Sequence, residues 1–361
     1  MRTPLTGVDL FCGAGGLTFG FRLAGFNVML GVDFDHDAIL TYRMNNPGVE
    51  TICKDIRKMS VTELMDVAAI QKGDVDVLMA GIPCEGYSIL NRRYDPTDPR
   101  NYLFLEFVRV ARGIKPKAVV IENVPGLFRR KNGSFKAAVE KALGHIGYHV
   151  TSFELDAAMF GVPQKRTRVF FVGFLEDKPF SPPRPSHLND AAGLEYFMGK
   201  GHKLKRILTV WDAISDLPPL RPGEKKDRYG TEPLTEYQRL MREGSEKLHN
   251  HEAPKHPEWT VRRIRVVKPG APIYKSFKQR IRLSWHEPSP TIPAGGVRPQ
   301  WFFAHPEQPR GLTVREMARL QSFPDKYVFL GSMIKQRILV GDAVPPLLAR
   351  AIASQLREAI E

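Results

Sequence analysis

A thiol, a carboxyl group and a pair of guanidinium groups stand where apolar runs give way to polar loops. Cys84 sits in Gly81-Ile82-Pro83-Cys84-Glu85-Gly86-Tyr87-Ser88, directly after the apolar run Val75–Ala80. Glu122 leaves the run Val119-Val120-Ile121, where an unpartnered carboxyl group would be costly to bury. Gln164-Lys165-Arg166-Thr167-Arg168 heads another apolar run, and strand alternation puts Arg166 and Arg168 on one face. A lone cysteine at a strand end is ordinarily a small buried residue. Beside an acid and two fixed cations it becomes a candidate nucleophile whose adduct would be stabilised as charge develops.

A second group of residues could hold a nucleoside. Phe11-Cys12-Gly13-Ala14-Gly15-Gly16 follows the first apolar run, and Gly13, Gly15 and Gly16 allow a sharp turn and close backbone approach to a ligand. Twenty residues beyond Gly13, Asp33 follows the second run, where a carboxylate can accept from both ribose hydroxyls. Asp55, after the third run, is placed to accept from an exocyclic amine such as that of adenine. A dinucleotide fingerprint would need glycine where Thr18 stands, which argues against a nicotinamide-dependent dehydrogenase.

The elements that must position these groups form an α/β pattern with a largely parallel sheet. Strands are expected at Thr6–Phe11, Asn27–Val32, Val49–Lys54, Val75–Ala80, Ala118–Ile121, His149–Glu154 and Arg168–Phe174, with helices near 15–24, 35–45, 60–70, 100–113 and 134–146. Ser181-Pro182-Pro183-Arg184-Pro185 breaks the alternation. The expected organisation is a large catalytic and cofactor-binding domain over 1–178, a small domain over 179–334, and a C-terminal segment, 335–361, packing back on the large domain. Within that last segment Leu347, Leu348, Ile352 and Leu356 have helical spacing.

The net charge of +14 points to a polyanionic partner. Residues 1–100 contain 10 Lys or Arg against 13 Asp or Glu, so the positive charge belongs to the later part of the chain. Arg262, Arg263, Arg265, Lys275, Lys278, Arg280 and Arg282 are interleaved there with Tyr274, Phe277 and Trp285 as candidate nucleic-acid contacts. Three cysteines without a CxxC pair argue against a disulfide framework or a zinc site, and His249 and His251 read as a solvated polar loop. No apolar run approaches the length of a membrane span, and no signal-peptide pattern opens the chain, so an intracellular protein without membrane or metal is expected.

Taken in order, these motifs resemble those of the DNA cytosine carbon-5 methyltransferase family, of the Dcm-like bacterial restriction-modification type. Asp9–Gly16, the Pro83-Cys84 loop and Glu122-Asn123-Val124 carry the resemblance, with Asp98–Phe104, Gln164–Arg168, Arg310–Asp325 and Gly341–Pro346. The resemblance implies a Rossmann-like S-adenosylmethionine-dependent methyltransferase fold with a smaller, irregular target-recognition domain, its variable region at about 180–285. It implies that Cys84 adds to carbon 6 of a cytosine flipped out of double-stranded DNA, that Glu122 serves the ring nitrogen as proton donor, and that Arg168, supported by Arg166, serves the carbonyl oxygen. For S-adenosylmethionine it implies contacts from Phe11, Cys12, Gly13, Gly15, Gly16, Asp33, Asp55, Ile56, Pro83, Leu103, Asp342 and Ala343. A monomer in the prokaryotic cytoplasm or nucleoid, working beside a restriction endonuclease, completes the expectation.

Two positions depart from the family pattern: Glu85 stands where glutamine is usual, and Asp342 where asparagine is usual. Both add a carboxylate near the expected cofactor pocket, and Asp342 is expected to weaken cofactor binding modestly. Two other readings fit the same motifs: a transfer-RNA cytosine-5 methyltransferase of the same fold and a non-catalytic DNA-binding homologue.

Overall fold

In the computed structural model the described residues are 3–83, 102–129, 134–189, 204–293 and 302–361. The chain divides into two compact units. Unit 1 comprises 1–156, 167–184 and 348–361, and unit 2 comprises 157–166 and 185–347.

Unit 1 is built on a seven-stranded sheet: β1 (Thr6–Leu10), β2 (Asn27–Asp33), β3 (Glu50–Cys53), β4 (Val77–Gly81), β5 (Ala118–Asn123), β6 (His149–Asp156) and β7 (Thr167–Phe174). Their order is β3-β2-β1-β4-β5-β7-β6. The first five are parallel, while β7 runs antiparallel to both β5 and β6. Val77–Ala80 of β4 and every residue of β5 are buried, as expected of strands covered on both faces. Helices α1 (Gly16–Leu23), α2 (His36–Asn45), α3 (Val61–Ala68), α4 (Leu103–Ile114), α5 (Gly126–Arg129) and α6 (Ser134–His145) fill the connections. Asp35 caps α2 by accepting from the Ala38 N–H at 3.0 Å, and Ser60 caps α3 through the Glu63 N–H at 3.0 Å. At Gly31 a Cβ would lie 2.6 Å from the Tyr42 ring, so this strand position needs a glycine for α2 to pack against β2.

Unit 2 contains α7 (Val210–Ile214), α8 (Glu236–Arg242), α9 (Glu258–Val266), α10 (Val314–Leu320) and α11 (Met333–Asp342), with a two-stranded parallel ribbon of β8 (Ile281–Arg282) and β9 (Phe303–Ala304). Its core includes Val210, Ile214, Tyr237, Met241, Leu283, Phe303 and Leu320. Buried polar side chains are part of it. Arg319 is fully buried, donating to Asp216 at 2.7 Å and to both carboxylate oxygens of Asp325 at 2.8 and 2.7 Å. Arg310 makes a two-pronged pair with Glu316 at 2.9 and 2.7 Å, and Arg315 donates to the carbonyls of His249, Pro324 and Tyr327. The Arg310–Asp325 motif therefore supplies much of the internal frame of unit 2.

Helix α12 (Pro346–Ile360) begins in unit 2 and continues in unit 1, where Leu348, Ile352 and Leu356 are fully buried. The hand-over at Leu348 leaves α11 in unit 2, later than the expected start of the C-terminal segment at 335. His251 is a correction: it is fully buried rather than solvated, with ring nitrogens 3.1 Å from the Thr313 hydroxyl and 2.9 Å from the Pro218 carbonyl. Desolvation lowers its pKa, which suits a neutral ring in that place.

Candidate active site

Parallel β1, β2, β4 and β5 end at one edge of the unit 1 sheet, and antiparallel β7 begins there. The strand order changes direction between β1 and β4, and open α/β sheets bind ligands at such a switch point, outside the strand carboxyl ends.

On the β1 side, Phe11 takes a left-handed backbone (φ 55°), followed by Gly13 (φ 53°) and Gly15 (φ 88°), which opens α1. The Gly13 N–H donates to one carboxylate oxygen of Asp33 at 2.9 Å, and the Asp35 N–H donates to the other at 2.9 Å. Asp33 thus ties the glycine turn to the end of β2, and each of its oxygens keeps acceptor capacity for a ligand hydroxyl. Burial raises its pKa against these hydrogen bonds. Among the described residues beyond its chain neighbours, no atom lies within 4 Å of where a Gly13 Cβ would stand, so they leave space at the turn.

Beneath the turn lies a polar chain that motif reading missed. The Thr18 hydroxyl donates to the Asp9 carboxylate at 2.6 Å and lies 2.8 Å from the Tyr42 hydroxyl. Asp9, Thr18 and Tyr42 are all fully buried, and burial pushes the Asp9 carboxyl up to about 7. A hydroxyl at the position where a dinucleotide fingerprint wants glycine was the available signal. The Cys12 thiol is buried and pushed well up by desolvation, so it is a packing residue at this turn rather than a nucleophile.

The other expected nucleoside contacts are arranged more loosely. Asp55 caps the turn Ile56–Lys58, and its carboxylate pairs with Arg57 at 2.6 Å, the interaction that chiefly lowers its pKa. An amine approaching Asp55 therefore meets a carboxylate already shared with a guanidinium. Ile56 is buried in the core, and Leu103 is half-buried at the start of α4.

On the β4–β5 side, register sets Gly81 opposite Glu122. The Asn123 side chain donates to the Ile82 carbonyl at 3.2 Å and accepts from the Val124 N–H at 2.8 Å. Asn123 thereby fixes the strand end leading into Pro83. Cys84, Glu85 and Asp98–Asn101 lie outside the described residues. Glu122 and Arg168 meet directly: Nε of Arg168 is 2.9 Å from Oε1 of Glu122, and their side chains are only 10% and 11% exposed. Arg168 also donates to the Thr167 carbonyl at 2.7 Å.

Arg166 has a different use. Lying before β7 and within unit 2, it donates to the carbonyls of Ile292 at 2.9 Å, Gly341 at 2.7 Å and Ala343 at 3.1 Å. Gln164 assists by donating to Leu320 and Gln321 and accepting from the Ile292 N–H. Arg166 thus braces the backbone around Asp342, an exposed residue closing α11, and Ala343, which is buried. Among the basic residues of unit 2, Arg282 is buried and donates to main-chain carbonyls. Trp285 is half-buried against Trp211 and His305. Neither is an open nucleic-acid contact.

Among the described residues no group of His, Cys, Asp or Glu could hold a metal ion, and no helix is long and apolar enough to cross a membrane.

Residues 5–358 match the family model described as C-5 cytosine-specific DNA methylase. The type II methyltransferase M.DdeI of Desulfomicrobium norvegicum is 35% identical over 97% of this chain and 88% of its own length. M1.HphI of Haemophilus parahaemolyticus is 37% identical over 97% of this chain and 86% of its own length. Among solved structures, one described as a prophage-encoded DNA modification methyltransferase (E. coli) superposes with a TM-score of 0.79 at 24% identity, covering 98% of this chain and 99% of that one. The S. pombe Dnmt2 methyltransferase gives 0.61 at 17% identity, covering 98% of each chain. The sheet is accordingly that of the S-adenosylmethionine-dependent methyltransferase fold. The chain belongs to the C-5 cytosine-specific DNA methylase family and is a DNA cytosine-5 methyltransferase.

Proposed function

We propose that this enzyme methylates carbon 5 of a cytosine flipped out of a specific duplex sequence, through a covalent adduct on Cys84. The observation that carries the reading is the buried Glu122–Arg168 pair at the sheet edge, level with the strand end that leads into Cys84. Carbon 5 of cytosine is too weak a nucleophile to be alkylated unaided. Addition of the Cys84 thiolate to carbon 6 makes the ring enamine-like.

As found, Arg168 donates to Glu122, so Glu122 is acting as an acceptor. To serve the ring nitrogen it must carry a proton and turn donor, while the Arg168 guanidinium faces the carbonyl oxygen where negative charge grows. The polar turn, the Asp33 carboxylate and the space left at Gly13 suit the nucleoside part of S-adenosylmethionine. That cosubstrate supplies the electrophilic methyl group which carbon 5 takes. With the thioether S-adenosylhomocysteine as the leaving group of that transfer, a base then takes the carbon 5 proton and Cys84 departs as the thiolate. Arg166 acts by positioning the Gly341–Ala343 backbone. The same reading has the protein work as a monomer in a prokaryotic cytoplasm, alongside a restriction endonuclease of matching specificity.

Duplex DNA carrying 5-fluorocytosine tests the adduct, because fluorine at carbon 5 cannot leave as a proton does. With S-adenosylmethionine, the wild type should become covalently trapped at the site that bisulfite sequencing identifies. Cys84→Ala should retain cofactor binding and lose both trapping and transfer. Trapping or robust transfer by Cys84→Ala would overturn the assignment.

A further inference from the structure

Asp9 is fully buried on β1, two residues before the left-handed Phe11, and takes no part in the chemistry above. Its Oδ2 accepts from the Thr18 hydroxyl at 2.6 Å, while its Oδ1 has no hydrogen-bond partner among the described residues. Thr18 has one hydroxyl proton and spends it on Asp9, so Tyr42 is the donor where the two hydroxyls meet at 2.8 Å. A carboxyl group with an unsatisfied oxygen is a costly way to fill a buried place that an apolar side chain would fill without penalty.

The surroundings of Asp9 leave its charge unbalanced. In register it stands beside Gly31 of β2 and Met79 of β4. Thr18 meets it from α1, with Tyr42 of α2 behind, and the Asp33 carboxylate at the end of β2 and the Cys12 thiol of the turn both lie within its field. No Lys, Arg or His pairs with Asp9 or Asp33 among the described residues. Burial chiefly, with the Asp33 charge in support and the Thr18 hydrogen bond opposed, brings the Asp9 pKa up to about 7. A cation brought over the turn would reverse that balance and favour the ionised form.

The strand order identifies the cation. On the reading above, ribose hydroxyls belong at Asp33, on the end of β2, and the carbon to be methylated belongs at the Glu122–Arg168 pair of β5 and β7. The order β2-β1-β4-β5 puts the end of β1 between those two places. The sulfonium of S-adenosylmethionine joins the nucleoside to the transferred methyl group, so it crosses the Phe11–Gly13 turn, with Asp9 beneath.

We propose that Asp9 is the counter-charge of that sulfonium: it is protonated in the ligand-free protein, releases its proton to solvent when S-adenosylmethionine binds, and takes one back when the uncharged thioether S-adenosylhomocysteine is left in its place. Asp9 acts through the turn rather than by contact, and it sets the preference of the site for cosubstrate over product. The inference rests on the S-adenosylmethionine reading for its ligand.

Calorimetric titration of the full-length protein with each ligand, in paired buffers of different ionisation enthalpy, tests it without turnover. At pH 7 the wild type should release about half a proton more than Asp9→Asn on binding S-adenosylmethionine, and no more than the variant on binding S-adenosylhomocysteine. The ionised form binds the cation more tightly, and it is fully present only above the ligand-free pKa. From pH 6 to pH 8 the wild-type Kd for S-adenosylmethionine should therefore fall about threefold or more relative to that of Asp9→Asn, while the Kd for S-adenosylhomocysteine follows one course in both proteins. Thr18→Val withdraws the hydrogen bond that opposes protonation, so the same fall should move to higher pH. A purely structural Asp9 would change both affinities alike and release no proton. That result, equal proton release with the two ligands, or a Thr18→Val curve that coincides with wild type would overturn the proposal alone. A wild type that binds neither ligand would overturn it together with the cofactor reading.

Discussion

Asp9 sits under the glycine turn with one carboxylate oxygen bonded to Thr18 and the other without a hydrogen-bond partner among the described residues. Its pKa, raised to about 7, means that the folded protein binds this proton more tightly than the unfolded chain does. The stability this contributes is complete below the ordinary carboxylate range and is lost as pH climbs from about 4 through 7. Asp9→Asn stays neutral throughout. Relative to wild type it should gain stability from pH 5 to pH 8, on the order of 2 kcal/mol, read from paired thermal melts. A difference between the two melting curves that does not change with pH would reject a titrating Asp9. At this scale the sequence was informative where a contact is local to one sheet edge: Glu122 leaves an apolar strand, and its partner Arg168 heads another. It set Arg166 beside Arg168 at the reacting ring and gave no sign of its main-chain acceptors, which lie 126 or more residues further along and leave no local pattern.

Among the elements, α2 is held against β2 because Gly31 lets the Tyr42 ring reach the strand and Thr18. Gly31→Ala places a methyl group 2.6 Å from that ring. The expected cost is about 1–3 kcal/mol of stability, together with weaker S-adenosylmethionine binding as the turn beside Asp33 shifts. Calorimetry of unfolding and of cofactor titration would each register it, and wild-type values in both would contradict the packing argument. The strands of unit 1 fall close to the spans read from apolar runs, since burial on both faces makes a strand continuously apolar. The direction of β7 does not follow from alternation, which is the same for either sense. Its only trace is the short stretch Ala157–Arg166 after β6, too brief for the helical crossover that parallel strands require.

For the molecule as a whole, unit 2 depends on charges that balance out of water. Arg319→Met leaves Asp216 and Asp325 buried without their shared cation. A loss of about 3–5 kcal/mol is expected. A melting temperature equal to wild type for the single variant would refute this account. Such long-range polar bonding also explains why 180–285 offered little to sequence reading: its helices are short, and what fixes them are partners distant in the chain. Finally, the chain passes between the two units four times, at Asp156, Arg166, Arg184 and Leu347. No single junction therefore separates the two units, and swapping all of unit 2 for that of another enzyme would sever the excursion that ends on Arg166. A chimera that exchanges only a stretch lying between Pro185 and Ile292 keeps the native Arg166 with its Ile292, Gly341 and Ala343 acceptors, and is the graft this connectivity favours.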